Sequence, residues 1–430
     1  MSKETVLIVG DSLQGPTGFA NDGMGISWGL AEDYDVHYLG LQSFRDEKVK
    51  IGIEGKQRTV VQHANMPRGK ERWDFGKRSL PKLLDNLEPE ILLTINDIQM
   101  VQHVPSVMCG NTIKVQVMDL PSKRFISRDA IMMQVEGELQ KFKENYPRDT
   151  KWIQYAPQDG VPPMGIWEQI YKMADQCVAM SDFGKDVFKR YYKMDIPRIW
   201  HGVDIDIFKN EEKPKELKDK FVVGNMNRNQ PRKQPVRTIE AFAKFAKDKD
   251  DVLLHMQMDW NDEFGWPLQY FIQLYNVTGK VIAPQRVGMP REQVAQVYNM
   301  WDLNLNATGG EGFGLTHIEG FACGLPSLAC DYTTSKELII DGKPGPRGSL
   351  INTADLLWQK MDVAAVQRSL VDTEDFAKIL NKYYYNRDLV REQGKHAREW
   401  VEKNCSWTVI GKQWNKLVNN VLTGENNALR

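Results

Sequence analysis

Long hydrophobic runs are missing from this sequence. The N-terminal run Thr5-Val-Leu-Ile-Val9 stops at Gly10, far short of the roughly 18 residues a membrane helix needs and without the cleavage signature of a secretory leader. No stable membrane insertion is therefore expected. Cysteine is scarce: Cys109, Cys177, Cys323, Cys330 and Cys405 are widely spaced, odd in number and form no CxxC. That pattern reads as reduced, buried thiols in a cytoplasmic compartment. No Cys/His cluster has ligand spacing, which argues against structural zinc. A charge of one sign is also lacking. Lys and Arg number 56 against 57 Asp and Glu, a formal net charge of -1, so bulk electrostatics exert no pull toward nucleic acid or an acidic membrane. A local basic patch stays open. Neither a short-period repeat nor a low-complexity tract is present.

What is there is ordinary globular material, enough for more than one core. The 430 residues, 41% hydrophobic and 26% charged, suggest two or three domains. Thr5–Val9 reads as a buried parallel strand, followed by the loop 11–18 and a helix over Phe19–Leu30. Further strands are expected at Tyr34–Leu41, Ile91–Ile95, Ile113–Val117 and Trp152–Tyr155, with helical segments between. The pattern restarts at Phe221–Gly224. It continues through a helix at Val236–Ala246 and strands at Val252–Met258, Val281–Ala283, Leu303–Asn306 and Ser327–Cys330. Strands alternating with helices imply parallel sheets covered on both faces. The lysine-rich segment Lys209–Lys220 marks the boundary. The tail Thr373–Leu422 reads as helical, and its Trp400, Trp407 and Trp414, seven apart, read as core packing.

The chemistry concentrates in Gly309-Gly-Glu311-Gly-Phe-Gly-Leu-Thr-His-Ile-Glu319. Glycines at 309, 310, 312 and 314 let backbone approach a ligand. A helix starting near Leu315 presents unpaired amides and a positive dipole end, which suit a phosphate. A carboxylate beside a phosphate would repel it, so Glu311 and Glu319 are read as acceptors for sugar hydroxyls. Upstream, Arg228-Asn-Gln-Pro-Arg-Lys233 follows the first strand of the second half. Arg228 and Lys233 suit a diphosphate, as a bidentate fork and a point charge, and Arg232 is an extra cation that could be the real partner. In the first half, Gly15 and Gly18 lie in a loop that is not GxGxxG and carries no convincing dinucleotide signal. Plain turn residues are the alternative for both. Asp204-Ile-Asp206 is formally a DxD but is discounted as a metal motif. His317 is read as packing or capping.

These segments resemble the retaining glycosyltransferases of the large GT-4 family, which have the GT-B fold. Glu311 to Glu319 looks like the family's E-x7-E signature, and Arg228 to Lys233 like its Arg-x4-Lys motif. One departure is Gln234, where the family often has Gly. Ala179–Gly184, Trp200–Phe208, Tyr298–Asp302 and the tail Arg398–Trp407 resemble the same family, so the match runs from residue 5 to about 420. The resemblance implies an α/β fold of two Rossmann-like domains facing a central cleft, with a C-terminal helix crossing back to the first domain. The expected division is 1–208 on the acceptor side, 209–395 binding the nucleotide sugar, and 396–430 packing back.

Carried over by position, Glu311 would hold the transferred sugar, and Gly312, Phe313, Gly314, Leu315 and Thr316 would supply amides. Glu319 would hold the ribose, and Arg228 and Lys233 the diphosphate. Pro284–Gly288, with Arg286 and Val287, lies where the family contacts the base. Gly15 and Gly18 lie near the donor phosphates. Met118-Asp119 stands where many members place a His-Asp pair, so Asp119 could be catalytic or a plain cap.

The implied activity is retaining transfer of a hexose from a UDP- or GDP-sugar to a hydroxyl, with no metal required and no further cofactor. Glycan, lipid, protein and modified DNA base all remain open as acceptors. A sugar-nucleotide epimerase or phosphorylase and a non-catalytic nucleotide-sugar-binding module are the alternatives. The Lys/Arg-bearing segments 114–128 and 132–151 could be a solvated surface or a contact for a phosphate-bearing acceptor.

Overall fold

The computed structural model describes residues 3–65, 75–108, 114–119, 124–129, 149–284, 288–361 and 364–425. In chain order the first half contains strands β1 (Thr5–Gly10), β2 (Asp35–Gly40), β3 (Glu47–Ile53), β4 (Lys56–Ala64) and β5 (Ile91–Ile95). It continues with β6 (Lys114–Asp119), β7 (Arg124–Asp129), β8 (Lys151–Ala156) and β9 (Gln176–Ala179). Seven of them form one sheet in the order β3-β4-β2-β1-β5-β8-β9. All neighbours are parallel except β3 and β4. β1 and β5 are buried along nearly their whole length, which is why they read as continuous apolar runs.

One expectation needs correction. The strand at 113–117 exists as β6 but, among the described residues, pairs only with β7, outside the central sheet. The strand beside β5 is β8 instead. The hairpin β3–β4 was not expected. Its sequence alternates exposed and buried positions at the sheet edge, so no apolar run announces it. Its two-residue turn, Glu54-Gly55, has positive φ at both positions, the twist a tight hairpin needs.

The second half holds β10 (Phe221–Met226), β11 (Val252–Gln257), β12 (Val281–Ile282), β13 (Leu303–Asn306), β14 (Ser327–Cys330) and β15 (Gly348–Ile351). They form an all-parallel sheet in the order β12-β11-β10-β13-β14-β15. An antiparallel hairpin, β16 (Thr353–Met361) with β17 (Ala364–Val371), extends from this half. It too was not expected, because its apolar residues fall on both faces.

Three helices close the chain: Thr373–Tyr385, Arg387–Asn404 and Trp407–Thr423. The tryptophan spacing is not one helical stripe, because the chain breaks at Cys405 and Ser406 caps a new helix. All three rings are buried, with Trp414 fully so. The last helix packs against the first-half helix Gly18–Leu30. A Cβ on Gly29 would sit 2.7 Å from the Gly411 Cα, and one on Gly25 would strike the Trp407 ring. The Glu54 carboxylate accepts from the Trp407 amide (2.8 Å) and the Thr408 amide (3.1 Å), a favourable place for negative charge. Cys323, Cys330 and Cys405 are free and buried and Cys177 is buried, while Cys109 lies outside the described residues. Among the described residues no helix is long and apolar enough to cross a membrane.

Candidate active site

The loops at the C-terminal ends of β8 and β13 meet between the two sheets, where open α/β sheets place ligands. From β13 the chain runs through Gly309, Gly310 and Glu311 into the helix Leu315–Ala322. Gly310 (φ +145) is required by close approach: a Cβ there would lie 2.1 Å from the Asp159 carbonyl oxygen. Gly314 (φ +107) stands at the helix N-cap, where a Cβ would press on the buried His317 ring. Arg398 donates to the Phe208 and Ala322 carbonyls. It thereby satisfies the C-terminal end of the helix that carries Glu319 and ties that helix to the interdomain segment.

Glu311 is buried. Its carboxylate accepts from Lys233 Nζ on one oxygen and from Arg232 Nη1 (3.2 Å) on the other. The Glu311 amide donates to Thr333 Oγ1 at 3.0 Å. Burial pushes this carboxyl up, but the charges and hydrogen bonds of Lys233 and Arg232 outweigh it and hold it at about 2. Burial pulls Lys233 down, against Glu311 and together with Arg232.

The two expected phosphate cations do not converge. Lys233 reaches Glu311, whereas Arg228 is 60% exposed and donates Nε to Asp262 at 2.8 Å. Arg232 is the cation that joins Lys233, because both sit in one 3-10 turn, Pro231–Lys233. The departure at Gln234 has a structural reading. Its φ is +47, a conformation glycine adopts freely. Its amide compensates by donating to the Ser369 carbonyl (2.8 Å) and accepting from the Val371 amide (3.0 Å), which clamps the loop to β17.

Glu319 lies one turn into the helix and accepts from Tyr298 Oη at 2.8 Å. Burial pushes its carboxyl up to about 7, with Tyr298 and Arg291 opposing. Gly312, Phe313, Leu315 and Thr316 line the loop and first turn between the two glutamates. From the first half, a Cβ on Gly18 would lie 2.9 Å from Leu315 Cδ1, so this loop abuts the N-terminus of that helix. Gly15 serves a turn, donating its amide to the Ser12 carbonyl at 2.7 Å. Arg286 and Val287 lie outside the described residues.

Asp119 ends β6, away from the central sheet, and its side chain is outside the described residues, as is most of the Lys/Arg-bearing stretch 114–151. Asp159, just beyond β8, faces the glycine loop 309–314. It pairs with Arg368 Nη1 at 3.0 Å and stands 3.8 Å from Arg232 Nε. Beside it, burial and the Asp159 charge push Asp97 up to about 6, with Arg232 opposing.

Asp159 follows a strand that was legible, so asking what ends that strand would have found it. Asp97, Arg368, and the buried contact between Asp22 Oδ1 and His201 Nδ1 carried no local signal. The His201 ring lies 4.7 Å from Phe313 of the glycine loop. The motifs set aside behave as packing and capping. Asp204 accepts from the Asp206 and Ile207 amides, and His317 is buried against Asn306, 2.9 Å away. Among the described residues no cluster of His, Cys, Asp or Glu could hold a metal ion.

Residues 206–400 match the family model described as glycosyl transferases group 1. An uncharacterised glycosyltransferase of Methanocaldococcus jannaschii is 20% identical over 265 residues, 59% of this chain. The match spans 60% of that relative's length. The sucrose-phosphate synthase structure from Thermosynechococcus elongatus superposes with a TM-score of 0.66 at 15% identity, covering 98% of this chain and 100% of the other. Anabaena HepE in complex with UDP and glucose does so at 0.65 and 14%, covering 97% and 100%. On these matches residues 206–400 are similar to the glycosyl transferases group 1 family, and the chain shares a GT-B fold along nearly its whole length.

Proposed function

We propose that this chain is a retaining glycosyltransferase that moves a hexose from a UDP- or GDP-sugar to a hydroxyl acceptor in the cytoplasm, without a metal. The observation that carries the reading is the Glu311 carboxylate. Lys233 and Arg232 hold it ionised at the mouth of a glycine loop, and Glu319 with Tyr298 lies one turn further along the following helix. In this reading Glu319 takes the ribose hydroxyls. Glu311 orients the transferred sugar, and the amides of residues 312–316 with Lys233 and Arg232 receive the diphosphate. The domains divide at 208/209, and the C-terminal helices from 396 return to the first.

The sugar's bond to the diphosphate oxygen breaks while its bond to the acceptor oxygen forms on the same face. The acceptor proton leaves to the departing phosphate. Negative charge grows on the diphosphate, where the cations and helix amides are already in place, so losing one such donor should cost roughly 10²–10³ in rate. On the acceptor side Asp159 takes the place first given to Asp119, because it faces the donor loop from the end of a central strand.

The test is a thermal-shift panel of UDP, GDP, ADP, TDP and CDP and their glucose conjugates, followed by product analysis. One base should stabilise, by about 2.7 kcal/mol at a hundred times its dissociation constant, and the product should retain anomeric configuration. Inversion would refute retention. Donor turnover without a hydroxyl acceptor or cleavage by phosphate would favour an epimerase or phosphorylase. Binding without turnover would leave a binding module.

A further inference from the structure

The hairpin β16–β17 is rooted in the second half but reaches the first. At its root, the Ser369 amide donates to the Gly309 carbonyl (3.2 Å) and Ser369 Oγ to the Thr308 carbonyl (3.3 Å). Two residues further out the chain crosses over: the Gln367 amide donates to the Val161 carbonyl at 2.7 Å. Between these anchors Arg368 turns inward and is buried. Its Nη2 donates to Asp159 Oδ2 at 3.2 Å and its Nη1 to the Asp159 carbonyl, with Nη1 also 3.0 Å from Oδ1 as an ion pair, and its Nε donates to Gln359 Oε1 at 2.8 Å. Gly160 has no room for a Cβ, which would lie 2.5 Å from Val366 and 3.0 Å from Arg368 Nη1. Three backbone segments, 157–161, 309–312 and 366–369, thus meet at one carboxylate.

We infer that Arg368 is a positioning residue that holds Asp159 toward the transferred sugar, so that the donor domain builds part of the acceptor site. The inference rests on the proposed glycosyltransferase reading. The Asp159 side chain is 39% exposed, and a short carboxylate so open to water would turn among rotamers. The planar fork on both its oxygens fixes one orientation, as a single ammonium cannot. The balance of charge points the same way. Asp97, Asp159 and Glu311 are three acids beside the three cations Arg232, Lys233 and Arg368. Removing Arg368 leaves a net negative charge where the diphosphate must leave. Because the fork spans the two halves, the acceptor side is complete only when the donor domain is closed on it.

The test compares Arg368→Lys, Arg368→Gln, Asp159→Asn and the Gln/Asn double variant. Whichever of UDP-glucose and GDP-glucose stabilises the wild type serves as donor, with water and D-glucose as hydroxyl sources. The expected result is a 10–100-fold loss of nucleoside diphosphate release in each variant, with donor stabilisation unchanged. The double variant should be no worse than the worse single one. Full activity in Arg368→Lys would overturn positioning in favour of charge alone, and additive losses would overturn the unit. Hydrogen exchange without any nucleotide supplies an independent arm. Arg368→Gln should raise exchange in 157–161 and leave 221–226 unchanged, and equal protection in both proteins would refute the clasp. Failure of both nucleotide sugars to stabilise the wild type would instead sink the glycosyltransferase reading.

Discussion

Replacing Glu311 by Gln should cost stability through Lys233, and the cost should shrink in acid. The folded protein holds this carboxyl at about 2 against an ordinary 4.5. That difference corresponds to about 3 kcal/mol. The stabilisation is fully present above pH 4.5, where the unfolded chain is also ionised. It is lost as pH falls toward 2, where the unfolded chain already holds the proton and the folded one begins to take it up. At pH 7 the Gln variant should therefore unfold about 3 kcal/mol more easily, since Lys233 would stay buried without its counter-charge. For a domain of about 200 residues this is a fall of roughly 6–12 °C in Tm. At pH 3 the gap should narrow to about 1.5 kcal/mol. Denaturant titrations of wild type and variant at both pH values measure it directly. Lys233→Met should cost a similar amount, and the double variant should cost less than the sum. A gap that is the same at pH 7 and pH 3, or additive losses, would refute the assignment of this energy to the pair. The same Gln variant should lose turnover while keeping UDP affinity, because Lys233 then meets the diphosphate without a competing carboxylate.

Glu319, pushed up to about 7 by burial, should make nucleotide affinity rise as pH increases through 7, since only the carboxylate accepts from both ribose hydroxyls. Calorimetric titration with UDP or GDP should show this, and Glu319→Gln should bind weakly with a flat profile. The same raised value means that its ionisation opposes folding, so stability from this group is greatest below 4.5 and declines as pH rises through 7. Gly310→Ala must displace the Asp159 carbonyl, so it should abolish most transfer while changing UDP binding little, as a thermal-shift titration would reveal. Gln234→Gly relieves a positive φ but loses two hydrogen bonds to β17. A net loss of about 1 kcal/mol is expected, and a gain in Tm would count against the clamp. Chelation with EDTA should leave transfer unchanged.

Much of the fold was written locally. β1, β5 and β14 are short, mostly apolar runs that read as buried strands, and the helix Gly18–Leu30 follows its loop as expected. The glycine loop and its helix were equally legible, because Glu311, its glycines and Glu319 lie within one turn-and-helix segment whose φ requirements and dipole are properties of the chain itself. The edge hairpins were not. β3–β4 alternates polar and apolar, and β16–β17 spreads apolar residues over two faces, so neither carries a periodic signature.

What the tertiary structure decided is which charges meet. Arg228 and Lys233 look equivalent in the sequence, yet the turn at Pro231 aims Lys233 and Arg232 at Glu311 and leaves Arg228 facing Asp262. Asp159 and Arg368 stand 209 positions apart and are joined only because β8 and the hairpin end at the same cleft. An ion pair of this kind has no local propensity: each side chain alone is compatible with solvent. The pairing appears only once two packed sheets present their C-terminal loops to each other. The sequence by itself therefore determined the central strands and the glycine loop, through burial and backbone conformation. The placement of Asp159 and its partners was decided by packing over long range.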